Sequence, residues 1–181
     1  MIKNILSFFA GIVLIVVVMI TSAGDFMFNE YPSPFGVEET AARIQANIQA
    51  LSERGWALSA LRNPAKAVAA GGTNVLPVLL VEACSTKYSG PILKDDDTRI
   101  LSILMPCSIA IYKKDDGKTY IGTMNSGLMG KMFGSKVAGI MAEVAKDQNK
   151  FIIMDPTKPA PPLIRKGPGG GGGKGGQDAG C

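Results

Sequence analysis

The chain predicts an α+β domain in which two helices cover one face of an antiparallel sheet. Three observations point there. Two stretches repeat apolar residues every three or four positions, as one face of a helix does. About five short runs have strand character, and an Asp-Gly pair separates two of them as in a tight hairpin. Taken in order they read β-α-β-β-β-β-α, a pattern that segregates its helices to one side of the sheet.

The first strand is expected over 26–31, broken by Pro32 and Pro34. A helix follows over 37–54, with Val37, Ala41, Ile44, Ile48 and Leu51 on one face. Glu38 and Glu39 fall in its first turn, where the helix dipole favours negative charge. Gly55 is placed to end it in a left-handed conformation. Residues 56–61 read as the second strand, Asn63-Pro64 as a break, and 65–70 as a short helical piece before Gly71-Gly72. Residues 75–84 are Leu- and Val-rich, a strand buried on both faces. Residues 85–99 read as a loop with a helical turn near Ile92.

The hairpin comprises 100–113 and 118–124 around Asp116-Gly117. Pro106 has no N–H to donate and should mark a bulge or an unpaired edge. Beyond it, alternation puts Cys107, Ile109 and Ile111 on one face and Ser108, Ala110 and Tyr112 on the other. Gly127, Gly130 and Gly134 give a glycine-spaced, flexible approach to the second helix, with Ser135 as its cap. That helix buries Val137, Ile140, Met141 and Val144. From 155 to 181 the chain turns rich in proline and glycine and reads as a disordered tail.

Residues 1–24 precede the domain and carry their own signal. Between Ile5 and Ile20 stand twelve Leu, Ile, Val or Phe residues and no charge. Insertion of such a run into a bilayer is worth roughly −4 to −7 kcal/mol. Extended to Ala23 it would rise about 28 Å as a helix, close to the thickness of a hydrocarbon core. Lys3 lies before the run, and Asp25 and Glu30 follow it. The expectation is a single-pass cell-membrane anchor over 5–23, with a cytoplasmic N-terminus and an extracytoplasmic domain at 25–154. The rival is a cleaved signal peptide ending at the small residues Thr21-Ser22-Ala23. The anchor is preferred because the run slightly exceeds the usual signal core. Both export the domain.

The 181 residues include no histidine, which removes Ser-His-Asp and Cys-His catalysis and imidazole metal sites. Net charge is +4, much of it from Lys158, Arg165, Lys166 and Lys174. No basic stripe interleaves with aromatics, so nucleic acid is not expected as a partner. An ordinary hydrolase or transferase is not expected either, since no acid-base machinery is visible.

Three pieces of the domain carry a family likeness: Val81-Glu82-Ala83-Cys84-Ser85-Thr86-Lys87-Tyr88, Met105-Pro106-Cys107-Ser108-Ile109-Ala110-Ile111-Tyr112 and Gly127-Leu128-Met129-Gly130-Lys131-Met132-Phe133-Gly134. They resemble the domain of unknown function 302 family, specifically its membrane-anchored, two-cysteine branch, over about 26–151. The resemblance implies one α+β domain similar to half of a TATA-binding-protein-like fold. It implies no agreed activity and says nothing of the tail.

Cys84 and Cys107 are the candidate site. They are 23 residues apart in sequence and are expected to neighbour each other across the sheet. One reading is a dithiol switch, or soft thiolates for sulfur or a metal; the other is two small buried hydrophobes or a structural disulfide. A disulfide alone would stabilise by about 3 kcal/mol in the chain-entropy model. Supporting candidates are Lys87, which would favour a thiolate, Glu82, a proton acceptor on the face of Cys84 or a strand-edge ion pair, and Met105. With Met124, Met129 and Met132, Met105 would suit copper(I), although methionine more often fills core gaps. No cofactor is required by the sequence. Asp95-Asp96-Asp97 reads as a solvated turn or helix end rather than a calcium loop. Cys181 lies outside a prenylation pattern and reads as a plain thiol. Two functions stand side by side: a membrane-held module binding a protein partner through its sheet face or the 127–134 segment, and a thiol-based redox, sulfur or soft-metal protein.

Overall fold

A computed structural model describes residues 11–14, 16–18 and 23–165. Five strands form one antiparallel sheet in the order β1-β5-β4-β3-β2: β1 Phe28–Ser33, β2 Trp56–Arg62, β3 Val78–Ser85, β4 Cys107–Lys113 and β5 Thr119–Met124. The helices are α1 Ala23–Met27, α2 Val37–Gln49, α3 Pro64–Ala70, α4 Thr86–Lys94, α5 Asp96–Arg99, α6 Ser126–Lys131 and α7 Gly134–Phe151. The expected α+β class and its one-sided layering are what the chain adopts.

The core lies between the sheet and the two long helices. Ile44 and Ile48 of α2 and Val144 and Phe151 of α7 meet Leu79, Val81, Ile109, Ile111 and Ile121. These strand residues alternate along β4 and β5, while β3 is buried on both faces from Val81 to Ser85, in line with its expected two-sided burial. α2 ends at Gln49, short of the expected 54; residues 52–54 form a separate 3-10 turn, and it is this turn that Gly55 closes in the left-handed conformation, at φ 77°. Gly117, at φ 77°, turns the β4–β5 hairpin as expected.

Several local expectations are corrected. Pro32 does not end the first strand; it pairs opposite Tyr120, and β1 tolerates it because β1 is a sheet edge. Residues 100–104 form a 3-10 helix, and β4 begins only at Cys107, after the donor-less Pro106. Residues 86–99 are helical, as α4 and α5, rather than loop. Phe133, not Ser135, stands at the start of α7.

The glycine-spaced segment is not flexible chain. Residues 126–131 form α6, capped by Asn125, whose Oδ1 accepts from Leu128 N at 3.1 Å. Gly130 is there for close approach: a Cβ on it would lie 2.4 Å from Met141 Cβ on α7. Residues 155–165 also depart from the disordered reading. They lie along α2, where Arg43 donates to the carbonyls of Asp155 and Lys158. Gln45 donates to the Ile164 carbonyl and accepts from its N–H, each at 2.8 Å. Leu163 and Ile164 pack on the core. The rest of the tail, with Cys181, lies outside the described residues.

Among the described residues, no helix is long and apolar enough to cross a membrane. Residues 11–14 and 16–18 are helical, and Ile12, Val13, Leu14, Val16, Val17 and Val18 are exposed. Most of the predicted 5–23 span, including 5–10 and 19–22, lies outside the described residues.

Gly130→Ala is expected to destabilise the domain. The clash costs about 1–3 kcal/mol, against at most about 1 kcal/mol of regained helix propensity. A lower denaturation midpoint in urea checks this, and an unchanged or higher one refutes the close-packing role.

Candidate functional site

The sheet register decides where the sulfur atoms sit. Ala83 pairs with Cys107, and Glu82 with Ser108. Directly paired residues share a face, so Cys107 belongs with Ala83, Ile109 and Ile111 on the core side. Cys84 is one residue out of phase. It pairs with Ala57 of β2 and shares the outer face with Glu82. The cysteines therefore occupy neighbouring strands but opposite faces. Cys107 is a free thiol, so no disulfide joins the two. Burial pushes the Cys107 thiol up to about 11, the direction opposite to that of a reactive thiolate.

The other sequence candidates are dispersed. Glu82, also on the outer face, is buried and takes a 2.5 Å hydrogen bond from Arg62 Nε, the ion-paired alternative. Lys87 is exposed on the first turn of α4, its ammonium 5.6 Å from the Tyr88 ring centre. Met105 precedes β4 and packs against Ile92, Leu101 and Val137. Met105 and Met124 border the outer sheet recess, Met129 is buried in α6, and Met132 is 67 % exposed, so the four methionines do not converge. Among the described residues, no cluster of three or more Cys, Asp or Glu could hold a metal. Asp95 caps α5 and ion-pairs with Lys136 at 2.6 Å, as a helix end does.

Two arrangements emerge: sequence reasoning missed the first, and of the second it named the sheet face but not its residues. The first is interior. Asp147 of α7 is fully buried, and its Oδ2 accepts from Arg54 Nε at 2.8 Å, Trp56 Nε1 at 2.9 Å and the Tyr88 hydroxyl at 2.9 Å. Lys150 reaches Oδ1 at 3.2 Å. Burial alone would raise this carboxyl; the hydrogen bonds from Trp56, Arg54, Tyr88 and Lys150 outweigh it and hold it at about 2. Trp56 and Tyr88 also wall a small apolar cavity of about 50 Å³ with Cys107, Ile92 and Met141. That space fits little more than a water molecule.

The second arrangement is the uncovered sheet face. Register lays Glu30, Gly122, Ala110, Leu80 and Arg62 in a row across all five strands. Small and apolar groups thus fill the middle, with an acid at one edge and a base at the other. Beside this row, Tyr112 donates to Glu30 Oε1, and Lys114 pairs with Glu30 Oε2 at 2.6 Å. Burial, then the Glu30 carboxylate, push the Tyr112 hydroxyl up to about 12, so it remains a donor. The face forms a recess of about 930 Å³, bounded at one end by Ile103, Leu104 and Met105. Water-facing sheets usually carry long polar side chains; this one presents a shallow floor. Only the register, which aligns residues far apart in sequence, reveals it.

Fold and site together define a two-layer α+β domain with one sheet face open. The chain belongs to the family of the domain of unknown function DUF302, whose profile matches residues 29–154. A similar solved structure is the crystal structure of an uncharacterized conserved DUF302 protein from Bacillus stearothermophilus. It is 18 % identical with a TM-score of 0.60, covering 70 % of this chain and 95 % of that one. At that identity the likeness is one of fold. No curated protein matches the chain.

Asp147→Asn is expected to cost about 2–3 kcal/mol at neutral pH, below the usual penalty for breaking a buried pair because Arg54 is one-third exposed and can rehydrate. The wild-type carboxyl is depressed, from 3.8 to about 2. Its stabilisation is therefore complete above the unfolded value and lost as pH falls through this interval. Urea titrations from pH 5 to about pH 2 should show a slope the variant lacks; parallel curves would refute the assignment.

Proposed function

We propose that this protein is a membrane-anchored, extracytoplasmic binding module whose uncovered sheet face takes its partner. The observation that carries the reading is the floor of that face. Leu80 and Ala110 leave a low apolar floor beside the Tyr112 ring, which lies against Gly122, and the Glu30–Lys114 and Arg62–Glu82 ion pairs flank it at the two edges. The recess lies in the size range of ligand sites. The exposed apolar residues 12–14 and 16–18 are consistent with lipid as their surroundings.

Thiol chemistry through Cys84 and Cys107 together is the weaker reading. Register sets them on opposite faces of the sheet, the cavity that both border is only about 50 Å³, Cys84 is disulfide-bonded, and the buried Cys107 thiol resists ionisation.

A photo-crosslinking residue at Ala110 in intact cells is expected to give a discrete adduct that the same residue at Val68 on α3 does not. The adduct should persist in Cys107→Ser. No adduct, or one dependent on Cys107, would overturn the sheet-face reading. The side of the membrane is tested separately: Lys118→Cys on the hairpin should react with an impermeant maleimide before lysis, and protection until lysis would place the domain inside.

A further inference from the structure

We propose that the end of the domain where the apolar N-terminal stretch joins it is itself a lipid-contact surface, seated in the bilayer interface through Phe26, Phe28, Ile100, Ile103, Met132 and Phe133. This rests on the anchored reading above and adds an orientation to it.

The topology gathers these residues. β1 starts, β4 starts and β5 ends at the same edge of the fold, as Phe28 pairs with Met124 and Ala83 with Cys107. Asn125 ties that edge to the entering chain: its N–H donates to the Met27 carbonyl and its side chain to that of Phe26. Ile103 shares the outer recess with Gly24 and Phe28, and shares a second recess of about 310 Å³ with Ile100 and Phe133. The patch therefore draws on three segments of chain, 24–28, 100–103 and 132–133. Its members are unusually bare: Ile103 is 80 % exposed, Ile100 72 % and Met132 67 %. Large apolar residues grouped this way mark a contact surface rather than ordinary surface scatter.

What covers them follows from chain length. Five residues separate Ile20 from Phe26, a reach of at most about 20 Å fully extended, and the helical α1 takes up most of that interval. A domain joined so closely to a membrane span holds this end against the lipid surface. Its opposite end bears the hairpin residues Lys113, Lys114, Asp115, Asp116 and Lys118. The exposed apolar groups there, Val68, Val75 and Leu76, are all less than half exposed. Apolar side chains at the interface settle about 5–10 Å into the boundary between headgroups and acyl chains.

The test uses the full chain reconstituted into phosphatidylcholine vesicles. Ile103→Trp and Met132→Trp each add a tryptophan to the single native one, Trp56, which is buried. Bromine near the headgroup end of the acyl chains is expected to quench the added emission more than bromine near the chain terminus. Lys118→Trp should be unaffected. Co-flotation with the vesicles without quenching at 103 and 132 overturns the lipid-contact surface while leaving the anchor standing. A blue-shifted but unquenched emission does the same and assigns the patch to a protein contact, such as a second copy. Failure to float overturns the anchored reading and this inference with it.

Discussion

One buried carboxylate ties the C-terminal helix to the rest of the domain. Taking Asp147 out of water is costly, and the fold tolerates it because donors from four places converge on it: Arg54 before β2, Trp56 in β2, Tyr88 in α4 and Lys150 one turn along α7. Removing any donor leaves charge less compensated, so the elements hold one another in register. Trp56 meets Phe151 edge-on, ring centres 4.9 Å apart, and so couples the polar network to the apolar core. Among the described residues, no buried side-chain polar atom lacks a partner. An interior so fully satisfied is built to stay fixed. It leaves Cys107 in an apolar, closed setting rather than at a reactive centre.

With the helices spent on one face, the sheet must solve its second face alone. Edge strands and an open face invite association, and the chain answers with pairing at the edges: Glu30 with Lys114 on β1, and Glu82 with Arg62 on β2. Pro32 removes one donor from the β1 edge. The middle of the face carries no ion pair of its own; there the Tyr112 ring lies against Gly122. Ion-paired edges thus flank a floor of Leu80, Ala110 and Gly122, with the Tyr112 ring beside it.

The class of fold was legible because periodicity is a local property. Ile44 and Ile48 on α2, Ile109 and Ile111 on β4, and the stops at Gly55 and Gly117 all sit where spacing and turn chemistry put them. Errors gathered where tertiary partners override local signals. Glycines that suggest a mobile loop instead let α6 approach α7 at Gly130. Prolines that suggest disorder occupy a segment whose backbone groups are met by Arg43 and Gln45, over a hundred residues away. The Asp147 network was invisible for the same reason: Arg54, Trp56, Tyr88 and Asp147 lie in separate elements, and only the fold brings them together.

The cysteine pair shows how finely register governs chemistry. In an antiparallel ladder, side chains on adjacent strands share a face only when their offset from a paired couple is even. Cys107 is in phase with Ala83, and Cys84 is one step beyond it. A shift of one residue in β4 would bring the two sulfur atoms onto one face of the sheet. It would also carry Ile109 and Ile111 from the core to the surface, because every side chain of the strand turns over together. The buried isoleucines therefore enforce the register that keeps the sulfurs apart. The hydrophobic core, through strand parity alone, thus fixes which face of the sheet each sulfur occupies.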